Sequence, residues 1–250
     1  MTVPYFDDGT VRLYLGRFQD VLPTLTGQVD LVVADPPYAE TALEWDRWPD
    51  GWPALIAGRA RSMWCFGSMR MFLDRRDEFT GPGWHLSQDV VWEKHNGAGF
   101  AADRFKRVHE HAAHWYRGGW DSIHHETPHT AHTGPDKSVG AGTSRTPHTG
   151  RIGAHRYEDD GTRLARSVQR APSVRGGLSP TEKPVALLRL LIEYGCPPGA
   201  LVLDPFAGSG STLEAARLTG RRAIGIEADA AQIEKAARRL SQGVLEAGAA

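Results

Sequence analysis

The hydrophobic positions of the chain fall in short apolar runs that are separated by turn-rich connections. Residues 11–15 (VRLYL) and 29–34 (VDLVVA) have the pattern of strands, and the second run is almost unbroken. Such a run is typical of a strand that is buried on both faces of a parallel sheet. Further along this half, the pattern predicts a helix at 53–60 and strands at 62–66, 88–93 and 111–116.

The last third of the chain alternates helix and strand patterns. Pro184 suits the first turn of a helix, and an apolar stripe at helical spacing follows it as far as Gly195. The pattern then gives a strand at 201–203, a helix starting near Ser211, a strand at 223–226 and a last helix. Asp229 is the expected N-cap of that last helix, with Gln232 three residues on. This alternation predicts a doubly wound parallel sheet.

Residues 118–178 differ from both flanks in composition. They are rich in Gly, Thr, His, Pro and Arg and contain few large apolar residues, so they cannot build a conventional core. Two interpretations stay open, a flexible surface insertion and an ordered recognition region. We therefore divide the chain into a first half of the domain at 1–117, an insertion at 118–178 and a second half at 179–250.

Composition limits the class of protein. With 250 residues, of which 40% are hydrophobic and 24% charged, the chain suits one α/β domain with an insertion. The N-terminus has no basic segment followed by an apolar run, and no stretch approaches the roughly eighteen apolar residues of a membrane span. The sequence predicts a soluble cytoplasmic protein without membrane contact. Since the net charge is only −1, any nucleic-acid contact must come from local patches.

Cysteine and histidine give no sign of a metal. Cys65 and Cys196 are the only cysteines, and both are predicted to be reduced thiols in the core. The histidines that come nearest to a zinc pattern are His124, His125, His129 and His132. No cysteine accompanies them, so no metal site is predicted.

The sharpest local motif is Asp35-Pro36-Pro37-Tyr38, directly after the apolar run at 29–34. This is the end of a strand at which open α/β sheets bind ligands. Two prolines stiffen the turn and remove two backbone donors, which leaves carbonyl acceptors facing the cleft. The Asp35 carboxylate and the Pro36 carbonyl can each accept one N–H of an exocyclic amine, while Tyr38 offers a ring for a flipped base. The alternative is a tight loop with a capping aspartate.

A second motif, 204–212 (DPFAGSGST), again follows an apolar strand and precedes a helix. Gly208 and Gly210 allow close backbone approach, and the helix presents free N–H groups. Glu227 ends the adjacent predicted strand, where it can hold a ribose diol. Because the third glycine of a dinucleotide fingerprint and the Gly-Lys-Ser/Thr of a P-loop are both absent, a nucleoside cofactor without a phosphate chain fits better.

Together these motifs resemble those of the DNA amino-methyltransferases, the family that methylates N6 of adenine or N4 of cytosine. Residues 35–38 resemble its catalytic motif, 204–210 its cofactor loop and Glu227 its ribose-binding acid. The segment 181–185 (TEKPV) is similar to the one before that loop, and there are weaker similarities at 91–94 and 107–110. The catalytic motif precedes the cofactor loop, as in the permuted β arrangement of the family.

The resemblance implies a fold, a cofactor and a set of site residues. The fold is a doubly wound, mostly parallel seven-stranded sheet of the Rossmann-like methyltransferase type, with circularly permuted motif order and an irregular insertion at 118–178 that recognises the target. The cofactor is S-adenosylmethionine. The catalytic residues implied are Asp35, Pro36, Pro37 and Tyr38. The cofactor-binding residues implied are Asp35, Lys183, Asp204, Phe206, Ala207, Gly208, Ser209, Gly210 and Glu227.

The resemblance further implies transfer of a methyl group to N6 of a flipped-out adenine at specific sites in double-stranded DNA. An aspartate at the start of the motif favours adenine over N4 of cytosine, which stays an alternative. A catalytically silent DNA-binding relative and a methyltransferase for RNA or protein glutamine are the others. Methylation at C5 of cytosine is rejected because it needs a thiolate, typically following a proline, whereas Cys196 precedes one. A homodimer, a cognate restriction nuclease and a bacterial or phage-infected host cell stay open.

Some positions depart from the family or have open roles. Members of the family often have Gly-Asp after the first strand, and this aspartate contacts the cofactor adenine. The chain has Gly16-Arg17-Phe18 there, and Phe18 and Asp20 are the two candidate substitutes for the contact. Two basic clusters are candidates for DNA backbone contacts, Arg104 with Lys106 and Arg107, and Arg163 with Arg166 and Arg170, the second set aligned on one helical face. Solvated surface is the alternative for both. Core packing, a lid or a DNA contact stays open for Trp45, Trp48 and Trp52.

Overall fold

The computed structural model of the chain contains one large sheet. The structure describes residues 2–94, 103–131, 139–141, 144–146, 150–152, 155–174, 177–178 and 181–247. The chain divides into two compact units, Met1–Glu126 with Ser167–Ala250 as the first and Thr127–Arg166 as the second. The large sheet belongs to the first unit, which also carries both sequence motifs.

The strands of the first unit are β1 (Phe6–Asp7), β2 (Val11–Leu15), β3 (Leu31–Ala34), β4 (Ser62–Gly67), β5 (His85–Glu93), β6 (His109–Tyr116), β13 (Val168–Arg170), β14 (Leu201–Asp204) and β15 (Arg222–Glu227). They form a sheet in the order β1-β2-β15-β14-β3-β4-β6-β5-β13. The five strands from β2 to β4 run parallel to one another, and β6 lies antiparallel between β4 and β5. The predicted doubly wound, largely parallel sheet is confirmed.

The number of strands was predicted wrongly, because this sheet has nine among the described residues rather than seven. The two additional strands are the short ones at its edges. At one edge β1 pairs antiparallel with β2, and at the other β13 pairs parallel with β5. Edge strands of two or three residues bury too little to leave an apolar pattern in the sequence, so periodicity does not reveal them.

The helices are α1 (Phe18–Val21), α2 (Trp52–Ala57), α3 (Met69–Asp74), α4 (Arg76–Thr80), α5 (Val185–Gly195), α6 (Ser211–Leu218) and α7 (Ala230–Ala247). Short 3₁₀ turns lie at Leu22–Thr24 and Trp120–Ser122. The long helices α5, α6 and α7 confirm the sequence prediction, and α2 confirms the helix predicted at 53–60. The capping role of Asp229 is confirmed too, since its carboxylate accepts hydrogen bonds from the backbone N–H groups of Ala231 and Gln232 at 2.8 Å.

The sheet is covered on both faces, as the sequence of β3 requires. Leu31 and Val33 belong to one buried cluster, together with residues of α5, α6 and α7. Val32 and Ala34 belong to the other, together with the aromatic residues Trp52 and Phe79. Because successive side chains of a strand point to opposite faces, a four-residue apolar run is buried only when both faces are packed. This explains why β3 has no polar position.

The described residues of the second unit form three antiparallel strand pairs in nested order. Its strands are β7 (His129–Ala131), β8 (Val139–Ala141), β9 (Ser144–Thr146), β10 (Gly150–Ile152), β11 (His155–Tyr157) and β12 (Thr162–Leu164). The strand β7 pairs with β12, β8 with β11 and β9 with β10. Nested antiparallel pairs of this kind are the arrangement of one long hairpin.

The predicted helical alignment of Arg163, Arg166 and Arg170 is wrong. Arg163 lies in β12 and Arg170 in β13, so the side chains do not share a helical face. Arg163 pairs with Asp159 at 2.5 Å, and Arg170 pairs with Glu93 at 2.8 Å. The spacing of three and four residues was compatible with a helix, but Arg163 and Arg170 lie in two separate strands, and Arg166 lies between those strands.

The cysteines and tryptophans are mostly core residues. Cys65 and Cys196 are buried and free, as predicted, and burial raises the pKa of the Cys196 thiol to about 12. Trp48 and Trp52 are buried, whereas Trp45 is 57% exposed. Among the residues described, no helix is both long enough and apolar enough to span a membrane.

Candidate active site

The two sequence motifs meet at the centre of the sheet. The neighbouring strands β3 and β14 are parallel, so their carboxyl ends lie at the same edge and bring Asp35 and Asp204 together. A cleft enclosing about 340 Å³ opens there. Its walls are formed by Asp35, Thr181, Glu182, Lys183, Leu188, Asp204, Phe206, Ala207, Gly208, Ser209, Ser211 and Thr212. Seven of the residues implied by the resemblance therefore line one cleft.

In the first motif, both carboxylate oxygens of Asp35 are engaged. The Tyr38 hydroxyl donates a hydrogen bond to Oδ1 at 2.8 Å, and Lys183 Nζ contacts Oδ2 at 2.5 Å. Pro36 is buried beside them, and Pro37 is partly buried. A carboxylate has about four lone-pair sites, so Asp35 can still accept a further N–H from a ligand.

The pKa values of Asp35, Lys183 and Tyr38 are set by burial and by the neighbouring charges. Burial raises the pKa of Asp35 above its ordinary value, and the Lys183 ammonium offsets only part of that rise. The pKa of Lys183 is also raised, because the carboxylates of Asp35 and Glu110 outweigh the effect of burial. Burial and the neighbouring Asp35 charge raise the pKa of Tyr38, so its hydroxyl remains a donor. The pKa values of Asp35 and Lys183 are therefore both raised, the first mainly by burial and the second by the two carboxylates.

Two further charged residues extend this pair into a chain. Glu110, on β6, accepts a very short hydrogen bond from Lys94 at its Oε1. Its Oε2 lies 3.4 Å from Lys183 Nζ. The charges thus alternate from Lys94 through Glu110 and Lys183 to Asp35. Burial would raise the pKa of Glu110, but the two lysines lower it overall. Sequence reasoning did not assign these two residues to the site, although both lie in the weak strand motifs at 91–94 and 107–110.

The second motif forms a tight loop between β14 and α6. Gly208 and Gly210 have φ values of +50° and +80°, a left-handed conformation that glycine adopts without strain. The backbone N–H of Gly208 donates to Glu227 Oε2 at 2.7 Å, and the N–H of Asp229 donates to Oε1 at 2.7 Å. Glu227 thus fixes the loop to the end of β15, although it is not among the residues that line the cleft.

Asp204 begins this loop and is nearly inaccessible. Its Oδ1 accepts a hydrogen bond from the Phe206 backbone N–H at 2.9 Å. Burial raises its pKa to about 7, since the hydrogen bonds from Thr212 and Phe206 compensate only partly. The charges of Asp35 and Glu227 add to the rise. The charge of the Asp204 side chain therefore changes near pH 7.

The aromatic residue Phe206 lines the cleft. The Phe206 ring packs against Phe18 with 5.3 Å between ring centroids and against Trp52 with 5.5 Å. Phe18, one of the two residues considered as a substitute for the usual acid after the first strand, is 5% exposed. Its structural role here is to support Phe206. Asp20, the other candidate substitute, is exposed.

Arg239, on α7, was missed by sequence reasoning. Its guanidinium contacts Glu182 Oε1 at 2.7 Å, makes a very short hydrogen bond with Glu214 and lies 3.1 Å from Ser211 Oγ. Glu182 belongs to the segment before α5, while Glu214 and Ser211 belong to α6. Arg239 thus joins the two segments that form the cleft. No local pattern reveals such a residue, because its role comes from packing between distant helices.

The loop after the first motif is held by another residue that the sequence did not reveal. The Asp46 carboxylate accepts backbone hydrogen bonds from Ala39 at 2.8 Å, Glu40 at 3.0 Å and Thr41 at 2.7 Å. Ala39 has φ +57°, a strained value for a residue with a Cβ atom. Asp46 is 3% exposed, and these bonds stabilise the strained turn next to Tyr38.

The described ranges contain no group of three or more His, Cys, Asp or Glu side chains that could hold a metal ion. Of the four histidines considered in the sequence, His132 lies outside those ranges. His125 is partly buried and its ring lies 4.5 Å from that of Trp120, measured between centroids. The charged groups that line the cleft are the carboxylates of Asp35, Glu182 and Asp204 and the Lys183 ammonium.

The fold and this arrangement of carboxylates and glycines are typical of enzymes that bind a nucleoside cofactor at the end of a parallel sheet. A match to a family model identifies the family. The model of the DNA methylase family of N6 and N4 methyltransferases matches residues 29–238. The chain belongs to this DNA methylase family, whose members depend on S-adenosylmethionine. The resemblance inferred from the motifs is confirmed.

Two relatives from Escherichia coli (strain K12) share short segments with the chain. YubD, assigned as a methylase, is 67% identical over 48 residues, which is 19% of this chain and 21% of YubD. The DNA adenine methyltransferase YhdJ is 49% identical over 61 residues, which is 24% of this chain and 21% of YhdJ. The matched segments thus span about a fifth of the length of these relatives.

Solved structures confirm the fold over nearly the whole chain. The M1.HpyAVI complex with S-adenosylmethionine is 22% identical, with a TM-score of 0.62 over 92% of this chain and 99% of that one. The cytosine-N4-specific PvuII DNA methyltransferase is 14% identical, with a TM-score of 0.61 over 95% of this chain and 89% of that one. At these identities the likeness establishes the fold and leaves the target base open.

Proposed function

We propose that the chain is an S-adenosylmethionine-dependent DNA methyltransferase that methylates N6 of adenine in double-stranded DNA. The observation that carries this proposal is the position of Asp35. It opens the Asp-Pro-Pro-Tyr turn and also lines the cleft formed by the Asp204–Gly210 loop. One carboxylate can therefore contact both the methyl donor and the acceptor amine, as a direct transfer between them requires.

The cleft fits S-adenosylmethionine by the chemistry of its walls. Asp35 and Asp204 are acidic groups for a cofactor that carries a sulfonium and an ammonium, and the glycine loop lets a flat nucleoside approach the backbone. Lys183 lines the same cleft and contacts Asp35, and Glu227 stands at the end of β15 for the ribose diol. When bound, S-adenosylmethionine supplies an activated methyl group, so no metal and no covalent enzyme intermediate is needed.

The residues of the first motif perform the remaining chemistry. An exocyclic amine is a poor nucleophile because its lone pair is delocalised into the base. The Asp35 carboxylate and the Pro36 carbonyl each accept one N–H, which favours a more tetrahedral nitrogen with its lone pair directed away from the ring. After methyl transfer one N–H bond breaks and its electron pair stays on nitrogen. Asp35, whose pKa is raised by burial, is the proton acceptor.

Adenine is proposed over cytosine on two grounds. The motif opens with an aspartate, Asp35, where cytosine-N4 enzymes of the family more often have serine. In addition, a relative that is 49% identical over 61 residues is a DNA adenine methyltransferase. N4 of cytosine is an amine of the same kind, so it is the alternative that the same turn could serve.

The target base must leave the duplex to reach this turn, because the amine is otherwise inside the stack. Tyr38 is the proposed stacking partner of the extruded base. The second unit, within the segment 118–178, is the proposed target-recognition region. Arg104, Lys106 and Arg107 are the proposed contacts to the DNA backbone, and Arg107 also pairs with Glu40 at 3.2 Å in the loop after the first motif.

A transfer assay with several acceptors tests the proposed activity. The protein is incubated with methyl-labelled S-adenosylmethionine and, in separate reactions, with unmethylated duplex DNA, RNA or protein extract. We expect label in duplex DNA, and we expect loss of at least about 100-fold in Asp35→Ala because the amine loses its carboxylate acceptor. An Asp50→Ala variant is the matched control, since Asp50 is an exposed aspartate away from the cleft.

The other outcomes separate the alternatives. Label in RNA or protein would place the chain in another acceptor class. Binding of S-adenosylmethionine, measured by calorimetry, without any labelled acceptor would indicate a catalytically silent DNA-binding relative. Equal labelling of DNA by the wild type and Asp35→Ala would contradict the role of the first motif.

A further inference from the structure

The chain of buried charges behind the first motif contains one unsatisfied atom. Glu110 uses Oε1 to accept from Lys94, but none of the described residues donates a hydrogen bond to its Oε2, which is buried. The Lys183 ammonium lies 3.4 Å away from that oxygen, beyond the usual N–H···O distance. A buried carboxylate oxygen without a donor is costly, so this atom is a favourable second position for the ammonium.

The first position of the ammonium is on Asp35. Lys183 Nζ contacts Asp35 Oδ2 at 2.5 Å, which is the carboxylate that the proposed function uses to accept the amine of the base. A close ammonium competes with an incoming N–H for the same oxygen and withdraws charge from it. A small rotation of the Lys183 side chain brings its Nζ into hydrogen-bond distance of Glu110 Oε2 and releases Asp35.

We propose that Glu110 is a positioning residue for methyl transfer, which takes the Lys183 ammonium from Asp35 when the target amine arrives. This inference rests on the proposed function, because it concerns the acceptor amine of that reaction. Lys94 supports the exchange by holding Glu110 in place through Oε1. The net charge of the buried group does not change during the exchange, so no proton has to enter or leave.

This arrangement explains why the strand β6 places a carboxylate at the site. Glu110 does not line the cleft and its side chain is 17% exposed, so it acts through Lys183 rather than on a ligand. A hydrophobic residue there would leave Lys94 and Lys183 buried as two like charges without a shared partner. Glutamine has a similar size but no charge, so it isolates the effect of the charge.

The test compares Glu110→Gln with the wild type in three measurements. We expect kcat for methylation of duplex DNA to fall by at least about tenfold, because Lys183 remains on Asp35. The Kd for S-adenosylmethionine, measured by calorimetry, is expected to change by less than about threefold. In DNA with 2-aminopurine at the target position, the rise in fluorescence that reports the extruded base is expected to be smaller than with the wild type.

Two more variants make the result specific. In a Lys183→Met background, Glu110→Gln is expected to change kcat by less than about twofold, because the ammonium that Glu110 attracts is gone. Lys94→Met is also expected to lower kcat, since Glu110 loses the hydrogen bond that holds its carboxylate in place. Glu193→Gln, in an exposed carboxylate of α5, is the matched control and should behave as the wild type.

Several results would overturn the inference. They are a kcat of Glu110→Gln within about twofold of the wild type, a parallel loss of cofactor affinity, or an undiminished effect in the Lys183→Met background. Loss of the folded state in both Glu110→Gln and Lys94→Met, seen by circular dichroism, would make the pair structural and also overturn it. If the wild type itself methylates no DNA, the proposed function fails and this inference fails with it.

Discussion

Asp35 and Asp204 hold their protons more tightly than exposed aspartates do, because both lie in the cleft at the centre of the sheet. Among the described residues, Asp35 has a cation at hydrogen-bond distance and Asp204 has none, so the two carboxyls respond differently to pH. The Lys183 ammonium opposes the rise in the pKa of Asp35, whereas burial raises the pKa of Asp204 to about 7. These differences give two predictions about single residues.

The first prediction concerns the acid side of the pH profile of kcat/KM. Asp35 accepts an N–H only when it is ionised, so activity should be lost as the pH falls through its raised pKa, above the ordinary value of about 4. In Lys183→Met the cation that lowers this pKa is gone, so the fall should move to higher pH. Circular dichroism at each pH controls for unfolding. A fall that stays in place or moves to lower pH in Lys183→Met would contradict this account.

The second prediction concerns the stability of Asp204→Asn. The pKa of Asp204 is about 7 in the folded chain and raised from its ordinary value of 3.8, so its contribution to stability is present at low pH and lost as the pH rises towards and beyond 7. Asparagine keeps the acceptor for Phe206 and does not ionise. When the pH is raised from about 5 to about 8, the free energy of unfolding of Asp204→Asn should therefore increase by about 2–3 kcal/mol relative to that of the wild type.

Chemical denaturation at the two pH values measures this difference. Asp50→Asn serves as the control, because its side chain is 87% exposed. A difference between Asp204→Asn and the wild type that does not depend on pH would show that Asp204 is not protonated near neutral pH.

At the scale of elements, the loop after β3 depends on one side chain. Asp46 holds three consecutive backbone N–H groups and thereby keeps Ala39 in its strained conformation. Burial would raise the pKa of Asp46, but its hydrogen bonds lower it overall, so the carboxylate stays ionised. The loop connects the turn at 35–38 to α2, and Glu40 within it accepts a very short hydrogen bond from Ser68, the N-cap of α3.

A third prediction follows for Asp46→Ala. The loop should lose order and the free energy of unfolding should fall by about 1–3 kcal/mol. Because the loop begins at Tyr38, kcat should fall by about tenfold, while the Kd for S-adenosylmethionine should change little. Thermal unfolding and calorimetry with the cofactor measure the two effects. Unchanged stability together with unchanged kcat would rule out this role for Asp46.

The sequence predicted the elements with long apolar runs and missed those without them. The strand β3 and the helix α5 were found because each buries a full stripe or both faces, and burial leaves a periodic pattern. The edge strands β1 and β13 and the short helices α1, α3 and α4 bury little and left no such pattern. The arginines of β12 and β13 were misassigned for a related reason, since spacing alone does not distinguish extended from helical backbone.

The residues of the candidate site also divide into those that the sequence predicted and those that it missed. The turn at 35–38 and the loop at 204–210 were found because unusual residues stand together in the sequence. Glu110 and Arg239 were missed because each acts across the fold, Glu110 on a lysine 73 positions further along the chain. Such contacts depend on the order of strands and helices, which a local motif does not encode.

At the scale of the whole molecule, the first unit has a core of its own on both faces of its sheet. The second unit is inserted between Glu126 and Ser167, and each of these two residues is hydrogen-bonded within the first unit. The N–H of Glu126 donates to the Tyr194 carbonyl at 2.8 Å, and the carbonyl of Ser167 accepts from the N–H of Val91 at 2.8 Å. The first unit should therefore fold without the second.

This gives a fourth prediction. Replacing Thr127–Arg166 with a flexible Gly/Ser linker of about 15 residues, which reaches about 20 Å, should preserve the unfolding temperature and the Kd for S-adenosylmethionine. Methylation of DNA should fall by at least about 100-fold, because the proposed recognition region is lost. Activity that persists with the sequence preference of the wild type would contradict the proposed role of the second unit.

The central claim is that this chain methylates N6 of adenine, and nucleoside analysis tests it most directly. Unmethylated duplex DNA is incubated with the protein and isotopically labelled S-adenosylmethionine, digested to nucleosides and analysed by mass spectrometry, with Asp35→Ala in parallel. We predict labelled N6-methyladenine with the wild type and none with Asp35→Ala. Labelled N4-methylcytosine would keep the mechanism but contradict the choice of base, and the absence of any labelled nucleoside would contradict the proposed function.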